Sequence, residues 1–365
     1  MAATTDQTQP RMIDILTVII TTSVTPSIPY TDLISAILDG YSKYCPQLLR
    51  CRFIVVFDNY DLVVPFARLK KGHVTPQQAK DWNLYKTNAK QLILQQFYST
   101  SGEVHMVTER GEAEYGSPQS TNGVPFTAKR TVDNRVTFIE PERRLGFGLA
   151  VRSALRLVDT PYVWLQQHDW SLVASIPIES VLQVMQGSEN DPEVPIKYIC
   201  LPAKKMLSYA TSQDVVRFPA LQELTLKLQR NFSPSLQPEI KIPLTPLYFW
   251  HDKPHIASTA HYLARVYPSR LAMLRGDFIE DKIGHRARDQ MKEGLWSKWG
   301  TWLYYPDEGR QLCLRHLNGR VWRGEDGQSK QINTYREQNI NYRQELDGEL
   351  TNVTSDDDFE LENFF

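Results

Sequence analysis

Between Glu142 and Trp170 the chain reads ERRLGFGLAVRSALRLVDTPYVWLQQHDW, and few folds can accommodate such a segment. Phe147, Val151, Ala154 and Val158 recur at spacings of four, three and four, one face of a 3.6-residue helix. Arg152 and Arg156 lie a turn apart on another face. Pro161 cannot continue a helix and biases Thr160 toward extended geometry, so the helix is expected to end there. Tyr162–Leu165 then reads as a buried strand, with polar Gln166, Gln167, His168 and Asp169 where its carboxyl end emerges. Ligands of open α/β sheets collect at that end, so a carboxylate there is placed for a metal or a phosphate-bearing substrate.

The flanking sequence supplies the rest of an α/β pattern. Ile15–Thr21 (ILTVIIT) is a β-branched run suited to a buried parallel strand. Leu33, Ile34, Ile37 and Leu38 mark a helix, and Phe53–Phe57 (FIVVF) a second strand ending at Asp58, so the three form a βαβ unit. A helix is expected over 76–98 and short strands at Val104–Val107 and Val136–Ile139, with 109–135 between them a long unpatterned loop. Further on, a helix at Ile178–Met185, a strand at Ile196–Leu201 and a terminal hairpin of Thr301–Tyr305 with Leu312–Leu317 are expected.

Charge and cysteines narrow the class. A net charge of −1 over 365 residues gives no whole-chain case for nucleic acid or an anionic membrane. Cys45, Cys51, Cys200 and Cys313 form no C-x-x-C pair and suit a reducing compartment. The N-terminal residues lack a signal peptide's apolar stretch, and Ile13–Ile20 is far short of the ~20 residues a membrane helix needs. From Gln344 onward there are eight acidic residues and no basic ones. The expected division is therefore a disordered N-terminus at 1–12, one α/β domain at 13–324 and an extended acidic tail at 325–365.

The order of these pieces resembles the GT-A glycosyltransferases of the broad family-two type. The resemblance rests on 13–58, on the Gly- and Arg-bearing helix and acidic strand end of 142–170, and on 276–320. It implies a Rossmann-like nucleotide-diphospho-sugar transferase fold, a mixed, mostly parallel central sheet flanked by helices. It also implies a cytoplasmic enzyme, since no N-terminal anchor is evident, that moves a sugar from a nucleotide-sugar donor to a hydroxyl on a glycan, protein or small molecule. Where the family has Asp-x-Asp, this chain has Gln167-His168-Asp169, so only the last carboxylate matches. By the resemblance, Asp169 and a late histidine, His316, hold a divalent cation (Mg or Mn), with His168 as an alternative ligand.

The resemblance also implies that Asp58, Arg152, Gln167, His168 and Asp169 meet the donor, and that Asp281, beside Glu280, is the base of an inverting transfer. Each has a plainer reading. Asp58 could close an Asx turn, Arg143, Arg144 and Arg152 could be solvated, and Glu280-Asp281 could cap a helix. His251, Asp252, His255 and His261 form the densest His/Asp group but match no common zinc spacing, and Trp250–His255 reads as a loop beside the donor or acceptor. A non-catalytic protein that keeps the fold and binds nucleotide sugar or a partner is the rival reading. A nucleotidyltransferase is a third, disfavoured because TSVTPSIP rather than a Gly-rich basic loop follows the first strand.

Overall fold

The computed structural model describes residues 11–98, 104–322, 324 and 329. The chain divides into two units, Met1–Val321 and Trp322–Phe365, and the fold is that of the first. The expected acidic tail lies outside the described residues, as does most of the N-terminal segment. Met12 is buried in a single helical turn, Met12–Ile15, so packing starts one residue before the expected boundary.

Eleven strands form one mixed sheet. Across it run Arg230–Phe232, Ile242–Pro246, Thr301–Tyr304, Tyr198–Cys200, His255–Ser258 and Tyr162–Gln167. Leu16–Thr22, Arg52–Phe57, Val136–Pro141, Gly123–Thr131 and Met106–Glu114 complete it. The middle is parallel: Tyr162–Gln167 pairs with Leu16–Thr22, which pairs with Arg52–Phe57, which pairs with Val136–Pro141. Both flanks are extended by antiparallel pairings, except that Tyr198–Cys200 runs parallel to Thr301–Tyr304. All seven residues of Leu16–Thr22 are buried, as expected for a strand covered on both faces.

Chain order within the parallel block decides where a ligand can sit. Numbered along the chain, these four strands lie in space as third, second, first, fourth. Order reverses between the first and the fourth, which is a topological switch point. Thr21 stands opposite Gln167 in that register, so Ser23, His168 and Asp169 leave the sheet side by side.

The expected 109–135 loop is instead a hairpin, Met106–Glu114 with Gly123–Thr131. Most side chains of its outer strand are exposed, so the strand carries no buried apolar run for a sequence pattern to reveal. The expected terminal hairpin does not form either. Thr301–Tyr304 enters the main sheet fully buried, while Leu314–His316 pairs with Trp170–Leu172. That second pairing carries His316 to the end of the Tyr162–Gln167 strand.

The helix expected after Glu142 spans Phe147–Leu155, and every residue in it is buried. It begins at Gly146, whose φ of +81° only glycine adopts readily, and a Cβ there would lie 2.4 Å from the Gly276 Cα. Gly276 N–H donates to the Leu145 carbonyl at 2.7 Å. These two glycines let the 276–281 segment approach the site. Gly146→Ala should therefore destabilise the fold by about 3 kcal/mol, since strain and backbone overlap act together. Thermal melting checks this, and an unchanged Tm would show that the two loops can part.

Candidate active site

Asp169 ends the fourth parallel strand as a nearly enclosed carboxylate. Its Oδ2 accepts from His316 Nε2 at 3.2 Å and from the Gly319 N–H at 3.3 Å. Its Oδ1 is buried and has no hydrogen-bond partner. Burial alone would raise this acid, but the His316 bond, the adjoining His168 and His316 rings and the Gly319 amide outweigh it and hold Asp169 down to about 2. His316 also stacks on Trp170, with ring centroids 4.5 Å apart, so its ring is fixed on two sides. Gly319 is required for close approach: a Cβ there would sit 2.9 Å from His168 Nε2 and 3.0 Å from the Asp169 Cβ.

His168 faces the first strand. Its Nδ1 accepts from the Ser23 N–H at 3.1 Å and lies 2.9 Å from Thr22 Oγ1, so the ring is held by that nitrogen. Burial pushes His168 below its ordinary range, consistent with a neutral ring. Gln167 turns the other way and donates Nε2–H to the Asp252 carbonyl at 2.9 Å. That bond ties the strand end to a second cluster.

In the second cluster, Glu280 Oε1 pairs with His251 Nδ1 at 3.2 Å and Oε2 accepts the Asp252 N–H at 3.2 Å. In return, the Glu280 N–H donates to Asp252 Oδ1 at 3.0 Å. Lys253 Nζ lies 3.4 Å from the His251 ring nitrogen. Burial lowers His251, so a neutral ring offers Nδ1–H to the carboxylate. Against the effect of burial, the His251 bond, the Lys253 charge and the Asp252 amide hold Glu280 down to about 2. Asp252 is driven well above the ordinary carboxylate range, first by burial and then by the Glu280 charge. The two neighbouring acids are thus pushed in opposite directions, Glu280 down and Asp252 up.

Asp281 begins the next turn differently. It is exposed and has no hydrogen bond among the described residues. Glu280–Gly284 is wound as a π-helical turn, an arrangement frequent at functional sites. Arg320 lies beside the first cluster: its guanidinium is 5.8 Å from the Phe278 ring, and its charge acts on His168.

Two expected donor residues sit elsewhere or are already engaged. Arg152 Nη1 donates to the Glu114 carbonyl at 2.9 Å, beneath the edge hairpin and away from both clusters. Helical phase turns it there, because Phe147 occupies the face that packs on Phe278. Asp58 lies at the second strand's carboxyl end, where it accepts the Leu145 and Gly146 N–H groups at 2.6 and 3.0 Å. Burial raises it to about 6 despite those two bonds. Both oxygens hold the 142–146 loop. His255, buried, and His261, half-buried, both of the expected His/Asp group, lie beside Trp250, and burial lowers each to about 3.

A cation fits here only in one form. Among the described residues no group of three His, Cys, Asp or Glu could hold a metal. Asp169 Oδ1 is nevertheless a buried oxygen lacking a donor, with an imidazole beside its carboxylate. That set suits a hard ion whose remaining ligands are water and phosphate oxygens, as Mg accepts, rather than a caged metal. Among the site residues, Ser23, Gly319 and Arg320 were not singled out by the sequence, although Asn318-Gly319 is a turn signal, whereas Lys253 falls within the Trp250–His255 loop expected beside the donor or acceptor.

Acid stability should register both depressed carboxylates. Asp169 and Glu280 fall below ordinary values of 3.8 and 4.5, so the stability they add is present above pH 4.5 and lost as pH drops toward about 2. Asp58 works oppositely, its contribution disappearing as pH rises from 3.8 to about 6. Urea midpoints measured from pH 5 to 2 should fall more gently in a D169N/E280Q variant than in the natural chain. Parallel curves would show that neither carboxylate is depressed.

No protein-family model matches the chain, and no curated protein matches it. Among solved structures it is similar to the mannosyltransferase PcManGT from Pyrobaculum calidifontis, solved with GDP-Man and Mn2+, at 12% identity and a TM-score of 0.35. That similarity covers 83% of this chain and 59% of the other. It is also similar to S. aureus TarS at 11% identity and a TM-score of 0.35, over 82% of this chain and 36% of TarS. The chain thus spans well under two thirds of either protein's length.

Proposed function

We propose that this chain is a GT-A-type glycosyltransferase, transferring a sugar from a nucleotide-sugar donor to a hydroxyl acceptor with inversion. The observation that carries the reading is the pairing of two differently prepared acidic clusters at the switch point of a parallel sheet. Asp169, whose buried Oδ1 has no hydrogen-bond partner among the described residues, would meet the donor diphosphate at the strand ends. Asp281, exposed beside the fixed Glu280, is free to take a proton.

In this reading Asp169 and His316 would hold a divalent cation, which supplies positive charge to the diphosphate oxygens as the sugar leaves. Arg320 adds a second, permanent positive charge on the same side. Glu280, fixed by His251 and the Asp252 amide, orients the acceptor-side turn. Asp281 accepts the hydroxyl proton as the new glycosidic bond forms, so the attacking oxygen need not carry a full positive charge. Gln167 couples the sides through the Asp252 carbonyl.

The test is release of nucleoside diphosphate from a panel of nucleotide sugars, with a panel of hydroxyl acceptors and with or without chelator. Donor-selective, acceptor-stimulated release is expected. Saturable donor binding with no release under any acceptor would favour a binding protein instead.

A further inference from the structure

The segment after the second parallel strand, 61–75, presents an apolar tip that no site residue explains. Phe66 is 86% exposed, Leu62 53% and Val63 50%. Exposure of three large apolar side chains on one short segment is unusual and marks an interaction surface. Their backbone is nonetheless well held. Leu62-Val63 pairs with His73-Val74, the Asp61 N–H donates to the Gly72 carbonyl at 2.7 Å, and Val64 N–H to the Val74 carbonyl at 2.8 Å. Asp61 is further fixed by Arg275 Nη1 at 2.7 Å. The apolar side chains are therefore displayed on a structured loop, and docking them need not order it.

Charge says what they meet. From Leu62 to Lys80 there is no acidic residue, while Arg68, Lys70, Lys71 and Lys80 are basic, in a chain whose net charge is −1. Arg68, Lys70 and Lys71 are exposed and make no ion pair among the described residues. Large exposed apolar groups beside unpaired cations match an anionic lipid surface: the apolar side chains enter the headgroup boundary and the cations meet lipid phosphates. Nucleic acid would use the charges but leave Leu62, Val63 and Phe66 in water.

We infer that the 61–75 loop docks the protein onto anionic bilayers. It lies on the carboxyl-end side of the sheet, joined to the 270–281 segment through Asp61 and Arg275, so docking turns the proposed active site toward the headgroups. The inference stands apart from the transferase reading, because it concerns side chains that touch none of the catalytic groups.

The test is flotation of the full chain with vesicles of phosphatidylcholine alone or with about 30% phosphatidylserine. Binding should require the anionic lipid and weaken as salt rises. Lys70→Ala and Lys71→Ala should each weaken it about fivefold, the effect of removing one charge near the surface. Val63→Ser with Phe66→Ser should weaken it tenfold or more while lowering the melting temperature little, since Phe66 is 86% exposed and Val63 half exposed. Failure to float with anionic vesicles would overturn the inference. So would wild-type binding by the apolar variant, or equal binding to neutral vesicles. Because the readout is flotation, it stands or falls without any measurement of sugar transfer.

Discussion

Asp281→Asn is expected to lower transfer by roughly 10²-fold or more, the usual size of a general-base contribution, while donor affinity stays near that of the natural chain. The physical case comes from contrast with its neighbour. Glu280 is clamped by His251 Nδ1 and the Asp252 amide, so its oxygens are already committed. Asp281 has no hydrogen bond among the described residues and is exposed at the start of a π-helical turn. Asparagine preserves its shape and removes only the proton acceptor, so Tm should not move. Glu280→Gln should behave differently: whichever way the amide turns, its NH2 faces either the His251 Nδ1–H or the Asp252 N–H. One donor then opposes another, and stability should fall by about 1–3 kcal/mol with a smaller loss of turnover. Wild-type transfer by Asp281→Asn would remove it from the reaction. Unfolding would make it structural.

The parallel centre was legible because its strands are buried on both faces and therefore read as apolar runs, as ILTVIIT and FIVVF do. The hairpin over 106–131 was not, since an exposed edge strand can alternate charge and glycine without cost to a core. The resemblance named His316 together with Asp169, but the strand pairing that brings the two side chains together could not be read. Pairing of Leu314–His316 with Trp170–Leu172 links positions far apart in the chain and leaves no local signal. Arg152 misled for a related reason. An arginine on a helix near a strand end reads as a phosphate contact until helical phase is known, and here that phase points it at the Glu114 carbonyl. The Glu280 cluster was half visible. The acidic pair stood out, whereas the role of His251 and Asp252 depends on a loop whose sequence, interrupted by Pro254, fixes no geometry.

Asp169→Asn should abolish the proposed cation site while leaving the fold standing. The Oδ2 position can remain an acceptor for His316 and Gly319, so the amide NH2 falls where Oδ1 now lies buried and unpartnered. A donor there repels a cation that an orphan oxygen would attract, and the negative charge beside His168, His316 and Arg320 is lost as well. Affinity for Mn, followed by the loss of the free-ion electron-paramagnetic-resonance signal in the presence of nucleoside diphosphate, should fall by roughly 10²-fold, at the upper end of what disturbed ligand shells lose. This readout needs no turnover, so it separates ion binding from catalysis. Restoring a second carboxylate with Gln167→Asp should not strengthen the site. That side chain now donates to the Asp252 carbonyl, and a carboxylate in its place would set two acceptors against each other while cutting the tie to Glu280. If Asp169→Asn binds Mn as the natural chain does, Oδ1 faces no ion. If Gln167→Asp binds it more tightly, the Gln167–Asp252 bond is not what holds the two clusters in register.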